Sequence, residues 1–285
     1  MTRTHRFSVL RLAAAPAFAA LVALGGCAVH VPPIDGMVWQ PDNATALPRG
    51  TWDKLGATRL LVQWTAVDGQ AFVPDAGMDA AASQPDWDRI AAEPWAKEVI
   101  LGLAGRFDEK AARSDIEGLA NASVRLAALK TPLRVVGYYF PVEIDPTWAE
   151  APRLAALLNR LPRPLWISVY DSANVGPEEL ARGLAGWLPA DVGVFFQDGV
   201  GVHAREARIA RVYANALSRH LGPNRVRIIA EAFRPQVGGG FRPASFDELA
   251  PQLARYEGYP VYLFEGPRYV SSQLVDRLVD AQKTR

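Results

Sequence analysis

Cysteine is almost missing from this sequence: Cys27 is the single one in 285 residues. One thiol excludes an internal disulfide and any cysteine-rich metal site. Histidine is nearly as scarce, and positions 5, 30, 203 and 220 show no metal-ligand spacing. Neither a metal nor another cofactor is expected. Lysines are few and no glycine-rich phosphate loop occurs, so nucleotide chemistry has no footing. There is no Gly-x-Ser-x-Gly elbow, and Ser168 falls inside a strand-like run, which argues against Ser-His-Asp hydrolysis. Past residue 27 no apolar run reaches membrane length. Acidic residues are absent from the first 26 positions, which carry Arg3, Arg6 and Arg11. Without them 28 basic residues face 30 acidic ones, a balance with no footprint for nucleic acid.

What the N-terminus does contain is a basic start followed by the apolar stretch LAAAPAFAALVAL. That run is too short for a stable bilayer span and reads as a secretory signal over residues 1–26. It closes on Leu24-Gly25-Gly26-Cys27, which resembles the lipobox of bacterial lipoproteins. The resemblance implies lipidation at Cys27 and durable anchoring through two or three acyl chains. Ala28, where an Asp would signal retention, then implies the outer membrane, with the rest of the chain in the periplasm. Residues 27–36, with Pro32, Pro33 and Gly36, read as a short tether.

From residue 37 to 285 the chain alternates strand and helix. Continuous apolar runs mark eight strands: 37–41, 59–65, 98–105, 134–143, 164–171, 192–199, 225–233 and 261–266. Helical patterns cover 114–130, 147–161, 176–188, 205–221, 245–256 and 271–283, with weaker crossovers at 51–55 and 86–93. Ser245 stands three residues before Glu248, a capping-box spacing, and Gly222 and Gly258 mark helix ends. Eight such units, 49% hydrophobic residues and about 250 residues of usable length predict an α/β fold closed as a (β/α)8 TIM barrel. An open doubly wound sheet would want a glycine-rich turn after the first strand, where Gln40-Pro41-Asp42-Asn43 stands.

Strands buried on both faces have no use for polar ends unless those ends meet at the barrel rim. Polar and aromatic residues collect there: Trp39 and Gln40, Gln63 and Trp64, Tyr139, Glu143, Asp171, Gln197 and Asp198, Glu231, and Glu265. Period-two alternation through Glu143 turns Pro141, Tyr139 and Gly137 inward, leaving Phe140, Tyr138 and Val136 to the helices. The same alternation through Glu231 turns Ile229 and Phe233 inward. Two facing carboxyls can cleave a glycosidic bond, one protonating the leaving oxygen and one attacking the anomeric carbon, if they stand about 5 Å apart. Asp198 and Gln197 begin a glycine-bearing turn suited to sugar hydroxyls, although such a turn can equally cap the next helix. Aromatic side chains nearby offer faces on which sugar rings stack.

The placement of Glu143 and Glu231 resembles the large barrel clan of retaining glycosidases, whose acid/base ends strand four and whose nucleophile ends strand seven. Val142 stands where that clan usually has Asn. Whole phrases are also similar to domain-of-unknown-function family 4434, a group of glycosyl-hydrolase-like barrels. They are Trp52-Asp53-Lys54-Leu55-Gly56 leading into Leu60-Leu61-Val62-Gln63-Trp64-Thr65, then 137–145, then 196–201. The resemblance implies a barrel that processes a polysaccharide or glycan. Glu143 and Glu231 would be catalytic, with Trp39, Gln63, Trp64, Tyr139, Asp171, Gln197, Asp198 and Glu265 binding substrate. Two readings stand beside it. One is a glycan-binding accessory without catalysis; the other is a structural envelope lipoprotein whose glutamates pair with Arg234 or Arg268.

Overall fold

The computed structural model describes residues 29–283. Cys27, its lipobox and the signal segment lie outside the described residues. Eight strands close into one barrel: β1 (Gly36–Trp39), β2 (Arg59–Val62), β3 (Glu98–Gly102), β4 (Val135–Ile144), β5 (Leu165–Val169), β6 (Val192–Gln197), β7 (Val226–Glu231) and β8 (Val261–Phe264). Every neighbouring pair is parallel and follows chain order, and β8 closes onto β1 through Gly36↔Tyr262 and Met37↔Leu263. The chain is a TIM barrel, and the open sheet is excluded.

Alternation explains why the strands are apolar throughout. One residue from each strand fills the lumen: Val38, Leu61, Ile100, Tyr139, Trp166, Phe195, Ile229 and Tyr262. The opposite parity, including Phe140, Phe196, Ile228 and Ala230, packs under the helices. These are α1 (Trp87–Ala91), α2 (Glu109–Ser114), α3 (Ile116–Ala127), α4 (Leu154–Leu158), α5 (Pro177–Ala185), α6 (Ala207–Leu221), α7 (Phe246–Ala254), α8 (Gly266–Tyr269) and α9 (Ser272–Lys283). In α6 the face holding Tyr213, Leu217 and Leu221 is buried. Each such side chain contributes roughly 1.5–3 kcal/mol. Ser245 and Glu248 close the expected capping box, and Gly222 and Gly258 take positive φ at 99° and 87°.

Three local expectations change. The pattern at 114–130 narrows to α3, because Asp115 leaves helical geometry and separates it from α2, an additional helix before it. The pattern at 147–161 shrinks to a 3-10 turn, Ala151–Arg153, followed by α4. There the Asp145 carboxylate accepts the Thr147 N–H at 2.8 Å and holds the segment in a turn. Val136 packs against the lumen cluster, because the β3–β4 register slips by one residue between Val99 and Ile100.

Two loops after strand ends are built up. The segment after β2 folds with Ala104–Gly105 into a small four-stranded sheet. After β7, Phe233–Pro235 pairs antiparallel with Phe241–Pro243 as a hairpin. At the opposite end, Arg227 plugs the barrel, its guanidinium 3.7 Å from the Trp166 ring. Val31 and Ile34 are buried in the main core, and Gln282 donates to the Pro32 carbonyl at 3.2 Å, so the chain joins the barrel body from Val31 onward. No helix among the described residues is long and apolar enough to cross a membrane.

Candidate active site

At the C-terminal ends of the strands, β4, β6, β7 and β8 open on one cavity of about 240 Å³. Its walls are Glu143, Tyr170, Gln197, Glu231 and Val202, with Phe233, Phe241 and Phe264 along one side. Each of the strand residues lies on the inward parity: Gln197 sits two beyond Phe195, Glu231 two beyond Ile229, and Phe264 two beyond Tyr262. Tyr139 is buried in the lumen layer, edge-on to Phe195, and is not one of the cavity walls. The barrel therefore delivers two carboxyls from β4 and β7 to one opening. Two larger grooves, about 350 and 340 Å³, lie around Trp148 and hold neither glutamate.

Glu143 accepts a hydrogen bond from the Gln197 side-chain amide. Burial, and next the negative charge of Glu109, push its carboxyl up to about 7. Glu231 leans on the loop after β6, where Val202 N–H donates to it at 3.1 Å and Gly201 N–H donates as well. Gly201 is required for that approach, since a Cβ there would stand 2.6 Å from the Glu231 Cβ. Burial and the nearby Asp198 charge push Glu231 up to about 8. Asp198 is itself fully buried and collects four donors: Val200 N–H at 3.1 Å, Glu231 N–H at 3.3 Å, Gln252 at 2.6 Å and Tyr256 at 2.8 Å. Four donors against two leave the charge of this pair on Asp198 and the proton on Glu231.

The remaining predicted site residues do not join the cavity. Asp171 is buried between strand and helices, taking Tyr213 OH at 2.7 Å and the N–H groups of Val175 and Gly176. Asp198 faces α7, as its partners Gln252 and Tyr256 show. Glu265 is buried with Arg268 at 3.0 Å and Gln40 N–H at 3.1 Å, and burial pushes it up to about 7. Trp39 donates to the Thr45 carbonyl and tilts on Trp87; Trp64 donates to the Pro41 carbonyl and meets the edge of Phe107. Gln63 keeps the inward parity above Leu61 and lies outside the cavity wall. Four residues escaped the sequence reading: Val202, Phe241 and Phe264 on the cavity wall, and Glu109 beside Glu143. The triplet Phe-Arg-Pro occurs at 233 and again at 241 around a glycine-rich centre, a hairpin signal that would have found Phe241.

Neither site glutamate is neutralised by the arginines considered above. Arg234 donates to the carbonyls of Glu231 and Phe233 and to Gln252, while Arg268 pairs with Glu265 and Asp42. No group of three metal-binding side chains occurs among the described residues.

With this geometry in hand, comparison with solved structures is informative about architecture. The chain is similar to a "putative alpha-L-fucosidase" from Bacteroides thetaiotaomicron, with a TM-score of 0.62 and 14% identity over 90% of this chain and 98% of that one. At that identity the likeness concerns the fold alone, the TIM barrel already described. A tamarind chitinase-like lectin aligns at a TM-score of 0.35 and 10% identity, over 88% of this chain and 98% of the lectin. No protein-family model and no curated protein matches the sequence.

Proposed function

We propose that this chain is an envelope lipoprotein whose barrel binds a glycan and hydrolyses it by a two-carboxylate mechanism. One observation carries the reading: Glu143 and Glu231, from β4 and β7, line one cavity with Gln197 and an aromatic wall, and among the described residues neither forms a salt bridge with an arginine. In the reaction Glu143 gives its proton to the leaving glycosidic oxygen while the Glu231 carboxylate attacks the anomeric carbon. The carbon–oxygen bond breaks and a glycosyl ester forms. Glu143 then takes a proton from water, whose oxygen displaces Glu231. The reactive form has Glu143 protonated and Glu231 ionised. Since their carboxyls titrate near 7 and 8, Glu143 ionises first, and the reactive form is the minor singly ionised state of the pair, at its maximum between those two values.

A cavity near the small end of ligand sites, which run about 300–1,000 Å³, suits one sugar ring more than a long chain segment. Phe233 and Phe241, with centroids 4.6 Å apart, supply the apolar wall. The phrases quoted above support membership of domain-of-unknown-function family 4434, and Leu24–Cys27 supports an outer-membrane lipoprotein with its barrel in the periplasm. Incubating the purified protein with a polysaccharide panel and counting new reducing ends tests the activity. Glu231→Gln is expected to lower the rate at least about 100-fold on any cleaved polymer. An unchanged rate removes Glu231 from the mechanism.

A further inference from the structure

Pairing along β4 lapses where the site begins. Against β3 it ends at Gly102↔Tyr139; against β5 it stops at Phe140↔Ile167 and resumes at Ile144↔Val169, four residues on one strand to two on the other. Glu143 thus has no ladder partner for its own N–H and C=O, groups that cost free energy if left unpaired. Both find partners on α2. Glu109 Oε2 accepts the Glu143 N–H at 3.2 Å, and the Arg113 guanidinium, one turn later, donates to the Glu143 carbonyl at 3.3 and 3.2 Å. The i, i+4 spacing is what lets one short helix reach both groups.

We propose that Glu109 is a positioning residue, which together with Arg113 clamps the Glu143 backbone at the barrel mouth and sets the charge beside its carboxyl. This rests on Glu143 being the proton donor. The two clamp charges act in opposite senses: Glu109 holds the Glu143 proton on, and Arg113 favours its release. Asp145 adds to the first effect, and Gln197 opposes it by donating to the carboxylate. Tyr139 and Tyr170 face the same carboxyl as neutral phenols, raised by burial, and Glu231 faces it across the cavity.

The test is a ¹³C-carboxyl NMR titration of the full chain, with the Glu143 signal identified by its loss in Glu143→Gln. Glu109→Gln keeps an acceptor for the Glu143 N–H and removes the charge, so the Glu143 midpoint should fall by about one pH unit. Arg113→Met should raise it. An unmoved midpoint in a folded Glu109→Gln protein overturns the proposal, since a residue that merely packs would leave the titration alone. The readout needs no substrate, so it can fail while glycan cleavage stands, or hold while cleavage fails.

Discussion

Carrying Glu143 from water to its place beside Glu109 favours the protonated carboxyl, and that preference is linked to stability. Its value in the folded chain, about 7, lies above the ordinary 4.5. A group raised on folding contributes fully below its unfolded value, and the contribution is lost as pH climbs through the folded one. Ionising the wild-type side chain at about pH 8.5 therefore costs stability that Gln, never charged, does not lose. Residual solvent reach keeps the cost on the order of 1–2 kcal/mol. For a protein this large, Glu143→Gln should melt roughly 2–6 °C above wild type at about pH 8.5 and level with it at about pH 4. Scanning calorimetry at both pH values decides it. An equal melting temperature at the high pH would mean that the site glutamate sits in a water-like environment.

Among elements, the hairpin after β7 is the part of the site least tied to the barrel. Phe241 is 45% exposed, lines the cavity and packs edge-on against Phe233, which also meets Phe264 at 6.2 Å. Removing the outer ring should leave the core alone and weaken the wall. Phe241→Ala is expected to raise KM about 3- to 10-fold, an edge-on ring contact being worth ~0.5–1.5 kcal/mol. Its melting temperature should stay within about 2 °C of wild type, and a large drop would show instead that the hairpin supports the fold. The eight strands were legible because parallel-barrel strands are apolar on both faces. So were Glu143 and Glu231, once alternation was applied to β4 and β7. Carried to the other strands, the same period separates Gln197 from Asp198, Tyr170 from Asp171 and Phe264 from Glu265. In each pair the first residue reaches the opening and the second turns to the helices. Counting every polar strand end as rim overlooked that. The α2 clamp was not legible, because it depends on where β4 loses its ladder partners, a tertiary fact that leaves no mark in the pattern.

For the molecule as a whole, the two ends of the barrel have different tasks. The chain comes in at the N-terminal end of β1, where Asp35 N–H donates to the Val261 carbonyl at 3.0 Å and Ile34 N–H to the Leu55 carbonyl at 3.0 Å. The cavity lies at the other end, beyond the lumen layer and the Arg227 plug. If Cys27 carries lipid, only a few residues separate the bilayer from Val31, where the chain is already buried in the core. A tether that short would seat the barrel base-first on the membrane and turn the mouth away from it, where a polymer could reach it. Retention would then rest on the acyl chains, each CH₂ worth ~0.8 kcal/mol of burial. Cys27→Ser should then move the protein from the membrane pellet to the soluble periplasmic fraction and abolish labelling by radioactive palmitate, with activity per molecule unchanged. Continued sedimentation of an unlabelled Cys27→Ser protein with membranes would place the anchor elsewhere and remove the reason for this orientation.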